Sequence, residues 1–243
     1  MTHLSVNLNK IALLRNSRGN NFPNVIEFTK KFIKLGVNGI TVHPRPDERH
    51  IKRQDAIELA ELLKDFSGIE LNIEGYPSKE YMELIREIRP DLCTIVPDSV
   101  KQLTSDHGWN IRKEKVFIRE VIKMIKDAGC RASIFVDPDT DQIKVAPETG
   151  TDRIELYTES YASSFGTPQS DRVFKRYKAS AETAQGLGIG VNAGHDLNLK
   201  NLPKFLEING ILEVSIGHAL IIECIENGMK EVINRYLYIC NSR

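Results

Sequence analysis

Eight short runs rich in Val, Ile and Leu recur along this chain, each followed by a stretch whose apolar residues repeat at helical spacing. The strand-like runs are 4–8, 39–43, 70–74, 92–96, 131–136, 153–157, 190–192 and 212–216. Amphipathic segments are expected at 24–35, 53–66, 79–89, 115–128, 140–147, 172–187 and 199–207, with a closing helix at 219–238. Gly36, Gly129, Gly150 and Gly188 fall where helices should stop before the next strand. No Gly/Ser linker or low-complexity stretch divides the pattern. It therefore predicts one α/β domain over residues 1–243, a closed (β/α)8 TIM barrel rather than an open sheet, and 243 residues is the usual size for one. The long connections 98–114 and 158–171 are expected to carry function or extra helices.

The bulk numbers remove several function classes. Lys plus Arg equals Asp plus Glu at 33 each, which gives no electrostatic footprint for nucleic acid or for a charged membrane. Apolar residues make up 41%, yet no run approaches a membrane span. The N-terminus enters a strand pattern at once and has no signal-peptide core, so a cytoplasmic protein is expected. Cys93, Cys130, Cys224 and Cys240 are dispersed without a C-x-x-C pair, which suits free thiols in a reducing compartment and argues against a zinc site.

Alternate residues of a strand face opposite ways. One set, including Val6, Ile40, Val42, Ile73, Leu156 and Val214, is apolar and should pack under the helices. The other holds Ser5, Asn7, Thr41, His43, Asn72, Glu74, Ser133, Asp137, Glu155, Tyr157, Asn192, Glu213 and Ser215. A barrel lumen is ordinarily filled by aliphatic side chains, and buried polar groups are costly unless they bond one another or a ligand. Glu213 and Ser5 should sit low in the barrel as structural groups that satisfy each other or a buried Arg. Those near the C-terminal strand tips point to a site.

Four histidines, His43, His50, His195 and His218, lie at or beyond expected strand ends, whereas His3 and His107 read as surface or packing residues. Imidazole titrates near neutrality and suits proton transfer. Arg45 and Arg49 share the loop of His43 and His50, and a guanidinium fork grips phosphate. Gly217 and His218 run directly into the last helix, where free N–H groups favour an anion. Arg15 and Arg18, read as lying in a loop after strand one, should bring further guanidiniums to the barrel mouth. No H-x-H or H-x-x-x-H spacing appears, so no metal is expected.

The segments 6–19, 39–50, 72–74, 96–97, 191–195 and 216–218 together resemble the pyridoxine 5′-phosphate synthase (PdxJ) family. The resemblance implies a (β/α)8 barrel with extra helices, assembled as a homo-octamer. It implies a transferase-class ring-closing synthase that joins 1-deoxy-D-xylulose 5-phosphate to 3-amino-2-oxopropyl phosphate without metal or organic cofactor. His43 and Glu74 would accept protons, His195 would donate one, and Glu155 would help stabilise a transition state. Arg45, His50 and Thr104 would hold the deoxyxylulose phosphate. Asn7, Arg18, Gly217 and His218 would hold the amino-ketone phosphate or close the site around it. The chain departs from the familiar pattern at Asn9-Lys10, where Asp-His is usual, and at Asp196, where Gly is usual; these three also count as substrate-binding candidates. The competing readings are a sugar-phosphate isomerase, epimerase or aldolase on the same barrel, and an inactive barrel that senses a phosphorylated metabolite. The absence of a lumen-facing Lys speaks against the aldolase.

Overall fold

Eight parallel strands close on themselves in chain order, from β1 (His3–Asn7), β2 (Gly39–Val42), β3 (Glu70–Gly75) and β4 (Leu92–Ile95) to β5 (Arg131–Val136), β6 (Arg153–Tyr157), β7 (Gly190–Gly194) and β8 (Ile211–Ile216), with β8 pairing back onto β1. The structure is a computed structural model and describes residues 1–98, 102 and 105–242. Val6, Ile40, Ile73, Ile134, Ile154, Val191 and Val214 form the outward row of the sheet and are fully buried beneath the helices. Each such side chain contributes on the order of 1.5–3 kcal/mol.

The helices follow from local signals. In α2 (Val25–Lys34), Asn24 caps the N-terminus by accepting from the Glu27 N–H at 2.9 Å. In α4 (Lys79–Ile88), Ser78 accepts from the Tyr81 N–H at 3.2 Å. The α5 helix (Ile111–Asp127) starts a turn earlier than the apolar period suggests, because Asn110 caps it through the Lys113 N–H. The expected stop glycines Gly36, Gly129, Gly150 and Gly188 all have positive φ, a region open to glycine at little cost. Both long connections were expected to be special, and the one after β6 folds a short helix, α7 (Glu159–Ser164), before α8 (Ser170–Gly186).

Four expectations are corrected. The segment after β1 is a helix, α1 (Asn9–Asn16), not a loop. It buries Arg15, whose guanidinium pairs with Asp55 in the first turn of α3 (Arg53–Leu63) instead of reaching the barrel mouth. The segment 140–147 divides into α6 (Thr140–Ile143) and a 3-10 turn, Ala146–Thr149, because Pro147 has no N–H to continue an α-helix. The segment 199–207 contracts to α9 (Leu202–Phe205), since the Asn198 side chain accepts from the Lys200 and Asn201 N–H groups and turns the chain first. The closing helix divides into α10 (His218–Asn227) and α11 (Met229–Asn241) at Gly228, whose φ of 87° no helix tolerates.

The lumen is largely polar, as the alternation predicts, with Leu92 and Phe135 as apolar members of the same row. Ser5 and Thr41 hydroxyls bond at 2.7 Å, and Thr94 donates to Asn72 at 3.0 Å. The N-terminal end is crossed by Arg153, which bonds Glu70 at 2.9 Å. Glu213 lies low in the barrel and accepts from Asn192 at 3.4 Å. Ser5 bonds Thr41 instead of Glu213, although both reach toward Gly39: a Cβ there would lie 2.9 Å from the Ser5 hydroxyl and from Glu213 Oε2. Asp137 does not continue the lumen row; its carboxylate accepts from the Gly108 N–H at 3.1 Å.

Candidate active site

At the C-terminal mouth, the strand tips and the segments that follow β1, β2, β4, β6, β7 and β8 enclose a cavity of about 440 Å³. Its walls include the three groups expected to move protons, His43, Glu74 and His195, and Glu155, expected to help stabilise a transition state. They also include Asn7, Asn9, Lys10, Arg45, His50, Asp196, Gly217 and His218. Arg18 is exposed beyond the end of α1 and does not line the cavity, and Thr104 lies outside the described residues. A neighbouring apolar hollow of about 630 Å³ shares His43 and Arg45, but its other walls are groups such as Pro44, Tyr81 and Leu84.

His43 follows β2, and its Nδ1 stands 3.8 Å from Glu74 Oε2. Burial, followed by the positive charge of Arg45, holds the imidazole well below its ordinary range, so it is neutral at physiological pH. Burial raises Glu74 to about 7, against the lowering influence of nearby His195 and Arg45. The two are therefore a neutral base beside a carboxyl that is half protonated near neutrality, and not a fixed ion pair. Asn7 steadies the carboxylate, donating to Glu74 Oε2 at 3.3 Å. Asn9 holds both partners: its N–H donates to Asn7 Oδ1, and its own Oδ1 accepts the His43 N–H, each at 3.0 Å. The departure at position 9 thus keeps an acceptor for the His43 backbone.

Glu155 is inward on β6, and Gly194 on β7 leaves it room; a Cβ at position 194 would collide with its Oε1. Its Oε2 is buried without a hydrogen-bond partner among the described residues. Burial, reinforced by Glu74 and Glu213, pushes its pKa well above the carboxylate range, so the group is a protonated acid. Phe135 and Tyr157 wall this side, and Tyr157 meets the His195 ring edge-on at 5.0 Å between centroids.

Cations gather on the opposite side. The Arg45 guanidinium is buried, anchored by Asp98 and by the Gln102 carbonyl at 2.7 Å, and Ser105 donates to the same Asp98 oxygen at 2.8 Å. Asp98 and Ser105 were not foreseen: they sit in an irregular loop, where no periodicity marks a residue. His50 is lowered to about 4, first by burial and then by Arg45. Its Nδ1 accepts the Ile51 N–H at 2.9 Å, which leaves the proton on Nε2 as a donor. Lys10 lies beside it on the cavity wall. Across the mouth, Gly217 precedes α10 and approaches Asn7 so closely that a Cβ would stand 3.1 Å from the Asn7 Cβ. The first N–H groups of α10 and the His218 side chain thus edge a second polar corner. Among the described residues, no group of three His, Cys, Asp or Glu side chains is arranged to hold a metal ion.

Comparison with known proteins shows the family. The sequence model of a family described as "Pyridoxal phosphate biosynthesis protein PdxJ" matches residues 4–242. A pyridoxine 5′-phosphate synthase of Christiangramia forsetii is 50% identical over 238 residues, 98% of each chain. Its counterpart in Agrobacterium fabrum is 44% identical over 245 residues, covering 99% of this chain and 98% of its own. Among solved structures, a mutant tryptophan synthase α-subunit from Pyrococcus furiosus superposes with a TM-score of 0.66 over all of this chain and 98% of its own, at 13% identity, which speaks to the fold alone.

Proposed function

The chain belongs to the PdxJ family of pyridoxal phosphate biosynthesis proteins, and on that premise we propose that it closes the pyridine ring of pyridoxine 5′-phosphate from 1-deoxy-D-xylulose 5-phosphate and 3-amino-2-oxopropyl phosphate. The observation that carries the reading is one cavity holding a neutral imidazole 3.8 Å from a carboxyl poised near 7, with a second imidazole and a protonated carboxyl on its other wall.

The reaction needs those forms. Adding the amine to the ketone and expelling water requires an acid and a base. Eliminating phosphate requires abstraction of a carbon-bound proton, which neutral His43 or ionised Glu74 accepts. His195 returns a proton to the departing oxygen. Glu155, a buried acid, donates a hydrogen bond to negative charge that develops nearby. Lys10, Arg45 and the His50 Nε2–H form one phosphate corner, and Gly217, His218 and the α10 N-terminus form the other. Fixing both substrates by their phosphates removes much of the entropic barrier to joining them. The reading includes a cytoplasmic homo-octamer. Exposed Leu13 and Leu14 on α1, and Ile222 and Ile225 on the adjoining α10, supply apolar surface that supports assembly.

The test is to incubate purified protein with both substrates and follow the ultraviolet absorption of the pyridinol ring together with released phosphate. Equimolar appearance of the two is expected. Isomerisation of the sugar phosphate alone, without ring absorption, would return the reading to a sugar-phosphate isomerase.

A further inference from the structure

His195 and Asp196 are consecutive non-glycine residues with positive φ, 89° and 58°. Such a conformation persists when its surroundings over-determine it. Here the Thr158 hydroxyl, fully buried, donates to the Gly194 carbonyl at 2.7 Å and also to that of His195. The buried Asn201 amide donates to the Asp196 carbonyl at 3.1 Å. Clamped from both sides, the turn brings Asp196 Oδ2 to 3.4 Å from His195 Nδ1 and leaves both side chains on the cavity wall.

We propose that Asp196 is a positioning residue for His195: its carboxylate accepts the Nδ1 proton, so that Nε2 is the atom that exchanges protons with substrate. The inference rests on the functional reading above and extends it to Asp196. Glycine is the residue this backbone favours, so the aspartate sits here against a conformational preference. The hydrogen bond to His195 holds the Asp196 carboxyl below the usual range, with His218 adding to the effect, so it is ionised at working pH. Edge-on contact with Tyr157 and the neighbouring Phe135 ring restrict rotation of the imidazole, which makes the choice of nitrogen consequential. A carboxylate orienting an imidazole in this way fixes the tautomer and stabilises the imidazolium that forms during turnover. Among the described residues, the charged or titratable groups facing His195 include Asp196 on its own turn, Glu74 from β3, Asp98 after β4, Tyr157 from β6 and, through Asp196, His218 on α10.

The experiment compares the wild-type chain with Asp196→Gly and Asp196→Asn. Gly suits a φ of 58°, so loss of folding does not confuse the result. Imidazole nitrogen NMR, with the His195 signal identified by its loss in His195→Asn, should show Nδ1–H in the wild type and mainly Nε2–H, the form free imidazole prefers, in Asp196→Gly. Both variants should lose ~10-fold or more in kcat with KM little changed. The alkaline limb of their pH profile should move about one unit to lower pH. The same tautomer in wild type and Asp196→Gly, or an unmoved alkaline limb, overturns the proposal. The NMR reading needs no turnover, so a chain that forms no pyridinol ring at all would defeat the functional reading and leave the pairing decided on its own.

Discussion

Burial penalises charge at the mouth: it raises the carboxyls of Glu74 and Glu155 and lowers the imidazoles of His43 and His50. Glu74 provides the first prediction. A carboxyl that must accept a proton works when ionised, and this one ionises near 7, so kcat/KM for ring formation should fall as pH drops below about 7. Glu74→Gln should fold normally, lose about 10²–10⁴-fold in rate and show no such limb in its residual activity. A residual rate with the wild-type acid limb would assign that limb to another group. Glu213 provides the second. Burial raises it from its ordinary 4.5 to about 8, so the folded chain binds more protons than the unfolded one between those values. Stability therefore falls as pH rises through that window and then levels off. Glu213→Gln keeps the contact with Asn192 and removes the titration. Its melting temperature should match wild type at pH 4.5 and exceed it by several degrees at pH 9, a comparison that scanning calorimetry at the two pH values makes directly.

At the scale of elements, the site depends on a tie between two helices. Asp55 in the first turn of α3 accepts the Lys52 N–H at 2.7 Å and pairs with buried Arg15 of α1. Arg15 in turn donates to the His50 carbonyl at 3.2 Å, so the same pair holds the loop that presents His50. Asp55→Ala strips the helix of a cap and leaves a buried guanidinium without its carboxylate. Such losses cost about 3–5 kcal/mol. Urea unfolding should show a stability deficit of that order, and KM for the sugar phosphate should rise more than kcat falls. Unchanged stability would mean that Arg15 finds an equivalent partner. None of this was readable beforehand: Arg15 looks like a mouth arginine because its segment, Leu-Arg-Asn-Ser-Arg-Gly, has loop composition, and only packing against α3 turns it inward.

For the whole molecule, the exposed apolar residues of α1 and α10 are among the features that a lone barrel leaves unexplained. Light scattering should give the mass of eight chains, and Ile225→Glu, which sets a charge on that surface, should lower the assembly state while leaving the circular dichroism of the barrel intact. A wild-type chain that runs as a monomer at micromolar concentration would remove the octamer from the reading.

The sequence by itself determined the barrel, the polar face of its strands and most of the candidate site. Those features are written in short-range periodicity: strands alternate every two residues, helices repeat every 3.6, and a strand tip is marked by where the pattern stops. His43, Glu74, Glu155 and His195 could be found this way because each sits at a fixed parity or just past a strand end. The tertiary structure alone decided which polar groups meet: that Asn9 holds the His43 backbone, that Asp98 anchors Arg45, that Arg15 turns away from the mouth, and that Asp196 stands against His195. Such pairings join residues up to dozens of positions apart, or depend on a backbone turn set by Thr158 and Asn201 from other elements. No local pattern encodes them, because desolvation and hydrogen-bond geometry arise only when the strands close.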